Sequence, residues 1–216
     1  MENYEELFKL LLEFAKNNQA KSEEVEDKSA IPVGISNRHI HLSQSDLESL
    51  FGEGYKLTKL KDLSQKGQFA CKELVTICGP KGAIEKVRVL GPVRSKTQVE
   101  VLAGDCRKLG AKMHTRLSGD LKNTASITLI GLKGAVQLDE GLIVAQRHIH
   151  MNIQDAKRLD VNDGDIVSIK VDGLRGGTYD NVAIRANDTS TLECHLDIEE
   201  ANAMGLNPKS RIKIVK

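Results

Sequence analysis

Tryptophan is absent from the 216-residue chain, and aromatic residues make up only 3% of it. Few side chains can therefore stack on the bases of single-stranded nucleic acid. The chain also has no large excess of charge of either sign, because 31 Lys and Arg are balanced by 30 Asp and Glu. The chain has no overall basic field that would attract nucleic acid or an anionic membrane. These two absences argue against nucleic acid and anionic membranes as partners. Any anionic ligand must therefore be held by local groups.

Cysteine is scarce, and its four copies form no Cys-x-x-Cys pair and no dense disulfide framework. We predict that they are reduced core residues, as free cysteine usually is. Long apolar runs and a secretory signal are also missing, so the sequence predicts a soluble, cytoplasmic protein. The four positions are Cys71, Cys78, Cys106 and Cys194.

The first 18 residues have a helical hydrophobic pattern, with Leu7, Leu11 and Phe14 on one stripe. Residues 19–30 are polar and charged, which is typical of a flexible linker. A tethered amphipathic helix can pack on its own domain, self-associate, lie on a membrane or enter a partner's groove. The pattern alone leaves these uses open.

From Ile31 onward the pattern changes to short β-like runs separated by turns. Glycine-rich turns at residues 79–82 and 173–177 each lie between two such runs and predict hairpins. Ser43 and Asn152 each precede a short helical pattern and are predicted N-caps. The fold class is therefore predicted as mainly β with capping helices.

The tetrapeptide Arg-His-Ile-His occurs twice, at residues 38–41 and 147–150, and holds four of the six histidines. In a β-strand, residues i and i+2 point to the same face, so each copy offers two imidazoles to one side. Imidazole suits zinc, and a catalytic zinc site usually has three protein ligands and one open position. Each half of the chain therefore needs one more ligand.

A second alignment supplies the missing ligands. Residues 97–101 followed by Gly110 align with residues 192–196 followed by Gly205 at an offset of 95, whereas the histidine pairs repeat at an offset of 109. This alignment pairs a glutamate of the first half with a histidine of the second half. The sequence predicts two three-ligand metal centres of unlike composition. They are His39, His41 and Glu100 in one half, and His148, His150 and His195 in the other.

Zinc is the metal that these donors favour, with two ions per chain. Manganese or iron would also accept two histidines and a glutamate, whereas the all-imidazole centre argues against magnesium and calcium. Arg94 lies in a Gly-Pro-interrupted segment before Glu100. Its guanidinium is either a clamp for phosphate or carboxylate, or a solvated loop side chain. His114 has no partner at metal-ligand spacing and is interpreted as an ordinary polar histidine.

Three segments carry a resemblance to a known family. They read SNRHIHLS at residues 36–43, VLGPVRSKTQVE at residues 89–100 and VAQRHIHM at residues 144–151. In these segments the chain resembles the PduL-type phosphate propanoyltransferases, the phosphotransacylases associated with bacterial microcompartments. The resemblance runs from about Ile31 to the C-terminus.

The resemblance implies an internally duplicated pair of β-barrel domains, residues 31–135 and 136–216, with two zinc ions at their junction. It implies interconversion of a short-chain acyl-CoA, propanoyl-CoA or acetyl-CoA, and phosphate with acyl phosphate and free CoA. The family's zinc ligands match the same six residues as the internal repeat, and its phosphate-binding arginine matches Arg94. The segments that resemble the CoA site contain Ser36, Asn37, Arg38, Ala145, Gln146 and Arg147.

The resemblance also implies that residues 1–18 are an encapsulation helix that binds shell or core proteins of a microcompartment, with the enzyme in its lumen. A homo-oligomer remains open. We expect direct attack of phosphate on the thioester, with a cysteine nucleophile as the competing route. A zinc-dependent hydrolase of thioesters or acyl phosphates and a non-enzymatic, metal-stabilised microcompartment adaptor are the alternative functions.

Overall fold

The computed structural model of the protein describes Lys9, Asp27 and residues 29–215. Apart from Lys9, the predicted N-terminal helix lies outside these residues, as does most of the predicted linker. A boundary between two units of the chain falls between Ala30 and Ile31, where the sequence pattern changes to β. Among the helices of the described residues, none has the length and apolar character needed to span a membrane.

Over the described range 31–215 the chain forms fourteen strands and four short helices, so the predicted mainly β fold with helices is confirmed. The strands of the first half are β1 (Ile31–Ser36), β2 (His39–His41), β3 (Lys59–Asp62), β4 (Phe69–Gly79), β5 (Gly82–Gly91), β6 (Gln98–Val101), β7 (Thr115–Arg116) and β8 (Ala125–Ile130). Those of the second half are β9 (Ala135–Ala145), β10 (His148–Met151), β11 (Ile166–Val171), β12 (Gly177–Ala186), β13 (Glu193–Asp197) and β14 (Arg211–Val215). The helices are α1 (Gln44–Phe51), α2 (Ala103–Leu109), α3 (Ile153–Leu159) and α4 (Ile198–Met204).

Twelve of these strands close two six-stranded barrels. The first barrel runs β4–β5–β2–β6–β9–β8 and back to β4, with β3 and β7 attached to it as outer strands. The second runs β1–β13–β10–β12–β11–β14 and back to β1. The two rings have the same order and the same parallel and antiparallel pairs at the strands that carry the histidines. The predicted pair of duplicated barrels is confirmed.

The two barrels exchange the first strand of each sequence repeat. β1 lies before the first histidine pair but pairs with β13 and β14 of the second barrel. β9 lies before the second pair but joins β6 and β8 of the first barrel. Only two residues separate β1 from β2 and β9 from β10, so the chain passes directly from one barrel into the other. Strand membership therefore crosses the division at residue 135 that was expected from the sequence.

The isoleucine between each pair of histidines is buried in a barrel core. Ile40 belongs to the core of the first barrel and Ile149 to that of the second, and neither is exposed. Because side chains alternate along a strand, burial of this residue turns the flanking imidazoles to the opposite face.

The helix ends repeat in the two halves, and both predicted N-caps are confirmed. Ser43 and Asn152 cap α1 and α3 through their side-chain oxygens. Gly110 and Gly205 end α2 and α4 in the left-handed conformation, with φ of 73° and 70°, which glycine adopts without a steric penalty. The first pair is 109 residues apart and the second 95, so both predicted offsets are present in the fold.

A test of the strand exchange is the substitution Ile31→Ala. Ile31 is fully buried in the core of the second barrel, so we expect the free energy of unfolding to fall by about 2–5 kcal/mol. Leu60→Ala, at a side chain that is 50% exposed, is the control and should change it by about 0.5 kcal/mol or less. Urea unfolding measures both. Equal stabilities of the two variants would contradict the placement of β1 in the barrel.

Candidate metal centres

Strand register brings the third predicted donor to each histidine pair. In the first barrel His39 lies directly opposite Glu100 on the antiparallel strands β2 and β6. In the second barrel His148 lies directly opposite His195 on β10 and β13. Directly opposed residues of an antiparallel pair have Cβ atoms about 5 Å apart. The predicted equivalence of Glu100 and His195 is therefore present in the sheet register.

The six predicted donors form two clusters. Within each cluster, one donor atom from every residue lies within 4.8 Å of the donor atoms of the other two. No other group of three or more His, Cys, Asp or Glu residues in the described range meets this geometry, and His114 belongs to neither cluster. The members are those expected: His39, His41 and Glu100, and His148, His150 and His195.

A backbone carbonyl orients the first histidine of each pair. Nδ1 of His39 lies 2.8 Å from the carbonyl oxygen of Asn37, and Nδ1 of His148 lies 2.8 Å from that of Gln146. A carbonyl can only accept, so it holds the proton on Nδ1 and leaves Nε2 free as a donor to a metal. The segments predicted to line the CoA site therefore also fix the tautomer of two metal-ligand candidates.

The second histidine of each pair has an unsatisfied nitrogen. Nδ1 of His41 and Nδ1 of His150 are buried and have no hydrogen-bond partner among the described residues. Leaving a buried polar atom unpaired costs about 1–3 kcal/mol. The same atom is left unpaired in both barrels, which is expected where an imidazole is held for a ligand. This observation and the donor types fit zinc in both clusters.

Three of the imidazoles are kept neutral by their surroundings. Burial and then the charge of the neighbouring His39 lower the pKa of His41 to about 3. Burial and then His195 lower the pKa of His148 to about 4, and burial with the two other imidazoles of the cluster lowers that of His150 to about 3. The neutral imidazole is the form that binds a metal ion.

Glu100 is ionised in the first cluster. Burial opposes its charge, but the charge and hydrogen bond of His39 outweigh burial and keep the pKa of Glu100 well below its ordinary value. His148 of the other cluster also contributes to this lowering, and Glu100 acts in turn on His148. The two clusters therefore lie close enough to influence each other at the junction of the barrels.

Arg94 lies beside the first cluster. Its backbone N–H donates to the carbonyl of Leu42 at 2.8 Å, and its Nη1 donates to Oγ of Ser118 at 2.9 Å. Burial lowers the pKa of Arg94, while the charge of Glu100 raises it and that of Arg185 lowers it further. The guanidinium is thus partly buried and within electrostatic reach of one carboxylate and a second arginine.

Arg185 is a charged residue near the site that the sequence patterns did not identify. It lies directly across from His150 on the parallel strands β10 and β12, so both side chains are on the same face of the sheet. At the offset of 95 its counterpart is Leu90. The internal repeat therefore carries no signal for Arg185, and only the sheet register reveals it.

The two arginines of the repeated tetrapeptide are engaged with helix caps. Nε of Arg38 lies 2.7 Å from Oδ2 of Asp105 in α2, and Nε of Arg147 lies 2.8 Å from Oε1 of Glu200 in α4. Asp105 accepts a hydrogen bond from the backbone N–H of Leu102 at the start of α2, and Glu200 belongs to the capping box of α4. The arginines thus tie the helices to the histidine strands, and their contact with CoA stays a prediction. So does that of the other four residues of these segments, Ser36, Asn37, Ala145 and Gln146.

Three of the four cysteines have the character of core residues, whereas Cys78 is only half-buried. Cys71, Cys106 and Cys194 are buried. Burial raises the pKa of Cys71 to about 11 and that of Cys194 to about 12. The thiolate is the nucleophilic form, so these thiols are not ionised near neutral pH. Cys194 is adjacent to His195 in sequence, but it points into the core of the second barrel.

Comparison with known proteins gives a consistent result. A family model described as phosphate propanoyltransferase matches residues 32–207. A phosphate propanoyltransferase of Lachnoclostridium phytofermentans is 56% identical over 175 residues, which cover 81% of this chain and 82% of the relative. One from Clostridioides difficile is 52% identical over 192 residues, covering 89% and 92%, and one from Thermotoga maritima is 52% identical over 187 residues, covering 86% and 89%.

The matched family and the relatives are acyltransferases by name. The chain belongs to the phosphate propanoyltransferase family, as the three segments around the histidine pairs and Arg94 indicated.

Three of the four thiols are buried and none belongs to a donor cluster, which predicts that no cysteine is required for acyl transfer. We expect each single Cys→Ala substitution to leave turnover on the order of that of the unchanged chain, with a loss of stability of about 1 kcal/mol at the buried positions. Turnover is measured as CoA release, and the metal content of each variant is the control. A variant that keeps its metal but loses turnover would indicate a cysteine nucleophile.

Proposed function

We propose that the chain is a phosphotransacylase in which phosphate attacks the thioester of propanoyl-CoA or acetyl-CoA directly at a dinuclear zinc site, giving acyl phosphate and free CoA. Membership of the family supports the reaction class. The finer proposal is carried by two three-donor clusters that act electrostatically on each other and by the partly buried guanidinium beside the first of them.

In this proposal each cluster holds one ion through its three donors. When bound, zinc supplies a Lewis acid that stabilises the CoA thiolate and the charge that develops on the thioester carbonyl oxygen. The protein supplies two donor sets of different charge, because one contains Glu100 and the other has three imidazoles. Unlike donor sets suit two unlike substrates.

Arg94 is the proposed phosphate-binding residue. A guanidinium has five N–H donors in a fixed fork that matches the oxygens of phosphate. One of the Nη1 donors is engaged with Ser118, which fixes the orientation of the side chain and leaves other N–H groups for the ligand. Partial burial strengthens its attraction for an anion, since the surroundings are less polar than water. Arg94 thereby positions phosphate and neutralises part of its charge.

The proposed reaction forms a bond between a phosphate oxygen and the thioester carbon and breaks the carbon–sulfur bond, and CoA leaves as the thiolate. Direct attack is favoured over an acyl-cysteine route, since the buried thiols are protonated near neutral pH. Cys194 is the clearest case, with its pKa raised by burial to about 12.

Two further parts of the proposal rest on the sequence resemblance. The segments at residues 36–38 and 145–147 line the CoA site in this proposal, next to the histidines that their carbonyls orient. The amphipathic pattern of residues 1–18 is proposed to bind shell or core proteins and to place the enzyme in the lumen of a bacterial microcompartment. Deletion of residues 1–28 should then abolish encapsulation and spare acyl transfer.

Arg94→Ala tests the phosphate clamp. Loss of a charge-assisted hydrogen bond worth about 1.5–3 kcal/mol should lower kcat/KM for phosphate by roughly 10- to 100-fold. Arg94→Lys should be intermediate because it keeps the charge and loses the fork. Arg175→Ala, at an exposed arginine in the tip of the β11–β12 hairpin, is the matched control.

The assay is CoA release from acetyl-CoA and from propanoyl-CoA, with and without phosphate. The unchanged chain should release CoA only when phosphate is present. Release at the same rate without phosphate would instead identify a thioester hydrolase. An Arg94→Ala variant with unaltered phosphate dependence would remove Arg94 from the site.

Metal analysis tests the two centres separately. The unchanged chain should contain two zinc ions, while His41→Ala and His150→Ala should each retain one and lose turnover, since each removes a donor from one cluster. His114→Ala is the control and should retain both ions. A single ion in the unchanged chain, or loss of both ions in one variant, would contradict two independent centres.

A further inference from the structure

Each third donor has a polar neighbour two residues earlier on the same face of its strand. Gln98 precedes Glu100 on β6, and Glu193 precedes His195 on β13. Gln98 and Glu193 are themselves 95 residues apart, which is the offset that relates Glu100 to His195. Both clusters therefore have a fourth polar side chain at an equivalent position in the fold.

The contacts of these two residues are matched to the donor beside them. Nε2 of Gln98 donates to Oε1 of Glu100 at 2.6 Å. Oε2 of Glu193 lies 2.6 Å from Nε2 of His195 and accepts a hydrogen bond from it. An amide that donates thus meets the carboxylate, and a carboxylate that accepts meets the imidazole. The chemistry of the neighbour changes together with that of the third donor.

We propose that Gln98 and Glu193 are positioning residues for the two metal centres, and that Glu193 supplies to the second centre the carboxylate charge that Glu100 supplies to the first. The inference rests on the proposed metal sites. A carboxylate that accepts a hydrogen bond from a metal-binding imidazole fixes the ring and makes its other nitrogen a stronger donor. With Glu193 counted, each half has two paired histidines and one carboxylate at its centre.

Gln98 is held in one orientation by a complete set of hydrogen bonds. Its side chain is almost fully buried, with 1% exposure. Oε1 accepts from the backbone N–H of Gly119 at 2.7 Å, and Nε2 also donates to Oγ of Ser118 at 2.8 Å. The N–H of Gly119 can only meet the oxygen of the amide, so the nitrogen must face Glu100. Ser118 contacts Arg94 as well, so Gln98 links the first centre to the proposed phosphate clamp.

Glu193 is held by the other barrel. Oγ of Ser64, in the connection between β3 and β4, donates to Oε2 of Glu193. Next to it, the side chain of Gln65 makes two hydrogen bonds with the backbone of Thr191, at 3.1 and 3.2 Å. This connection of the first barrel therefore fixes the carboxylate that orients the third donor of the second.

Gly34 leaves the space that the Glu193 carboxylate occupies. Gly34 lies opposite His195 on the parallel strands β1 and β13. A Cβ atom at this position would lie only 2.6 Å from Cδ of Glu193, so any larger residue would push the carboxylate away. The equivalent residue beside Glu100 is Ile143 on β9. Only in the second half, therefore, does a glycine on the adjacent strand make room for a carboxylate next to the third donor.

Cobalt titration of single-centre variants tests the proposal. His41→Ala removes the first centre and isolates the second, and His150→Ala does the reverse. In the His41→Ala background, Glu193→Gln should lower cobalt affinity by roughly 10- to 100-fold and shift the visible absorption of the bound ion. In the His150→Ala background the same substitution should change neither, which separates positioning from a general loss of stability.

The mirrored substitution is Gln98→Met, which should weaken the first centre in the His150→Ala background and spare the second. If a single-centre parent does not fold, the two steps of a cobalt titration of the otherwise unchanged chain give the same comparison. Unaltered affinity and absorption after Glu193→Gln would overturn the proposal, and complete loss of cobalt would overturn it in favour of Glu193 as a ligand. Absence of cobalt binding in the unchanged chain would instead refute the metal sites themselves.

Discussion

The pairing of His39 with Glu100 and of His148 with His195 across antiparallel strands is the constraint on which the site depends. A one-residue slip in a strand turns every side chain to the other face, so the register must be fixed by something other than the donors. The buried isoleucine between each pair of histidines does this, because its burial in a barrel core leaves the imidazoles only the opposite face. Core packing and donor convergence are therefore set by the same three residues of each short strand.

Strand exchange explains why the two centres lie together. Each barrel is closed by the first strand of the other repeat, and the connection from that strand to the histidine strand is only two residues long. The carbonyls of Asn37 and Gln146 in these connections orient the first histidine of each pair. In each half, the same two-residue connection leads the chain from one barrel to the other and orients the first histidine. A barrel that kept its own first strand would have no such segment at the junction.

Much of this arrangement could be predicted from local patterns and from the internal repeat. The six donors, the helix caps and the hairpins depend on side-chain alternation and on turn residues, which a sequence displays directly. The exchanged strands could not be predicted, since hydrophobic alternation indicates a strand without naming its partner. Arg185 could not be predicted from the internal repeat, because its counterpart in the first half is Leu90. The internal repeat does align Gln98 with Glu193, at the same offset that relates Glu100 to His195. Their positioning role, however, depends on contacts with Ser118 and Ser64, which no sequence pattern indicates.

Duplication alone would give two identical centres, and the chain departs from identity at two linked positions. Replacing a carboxylate donor by imidazole would remove one negative charge from a centre, and Glu193 restores that charge one step further from the donors. The first centre then has its carboxylate among the donors, and the second has it behind an imidazole. In the proposed reaction an anionic oxygen nucleophile attacks a carbonyl and a sulfur anion leaves. Two centres of equal total charge but unlike donor sets would bind these two anions differently while keeping both near the same carbonyl.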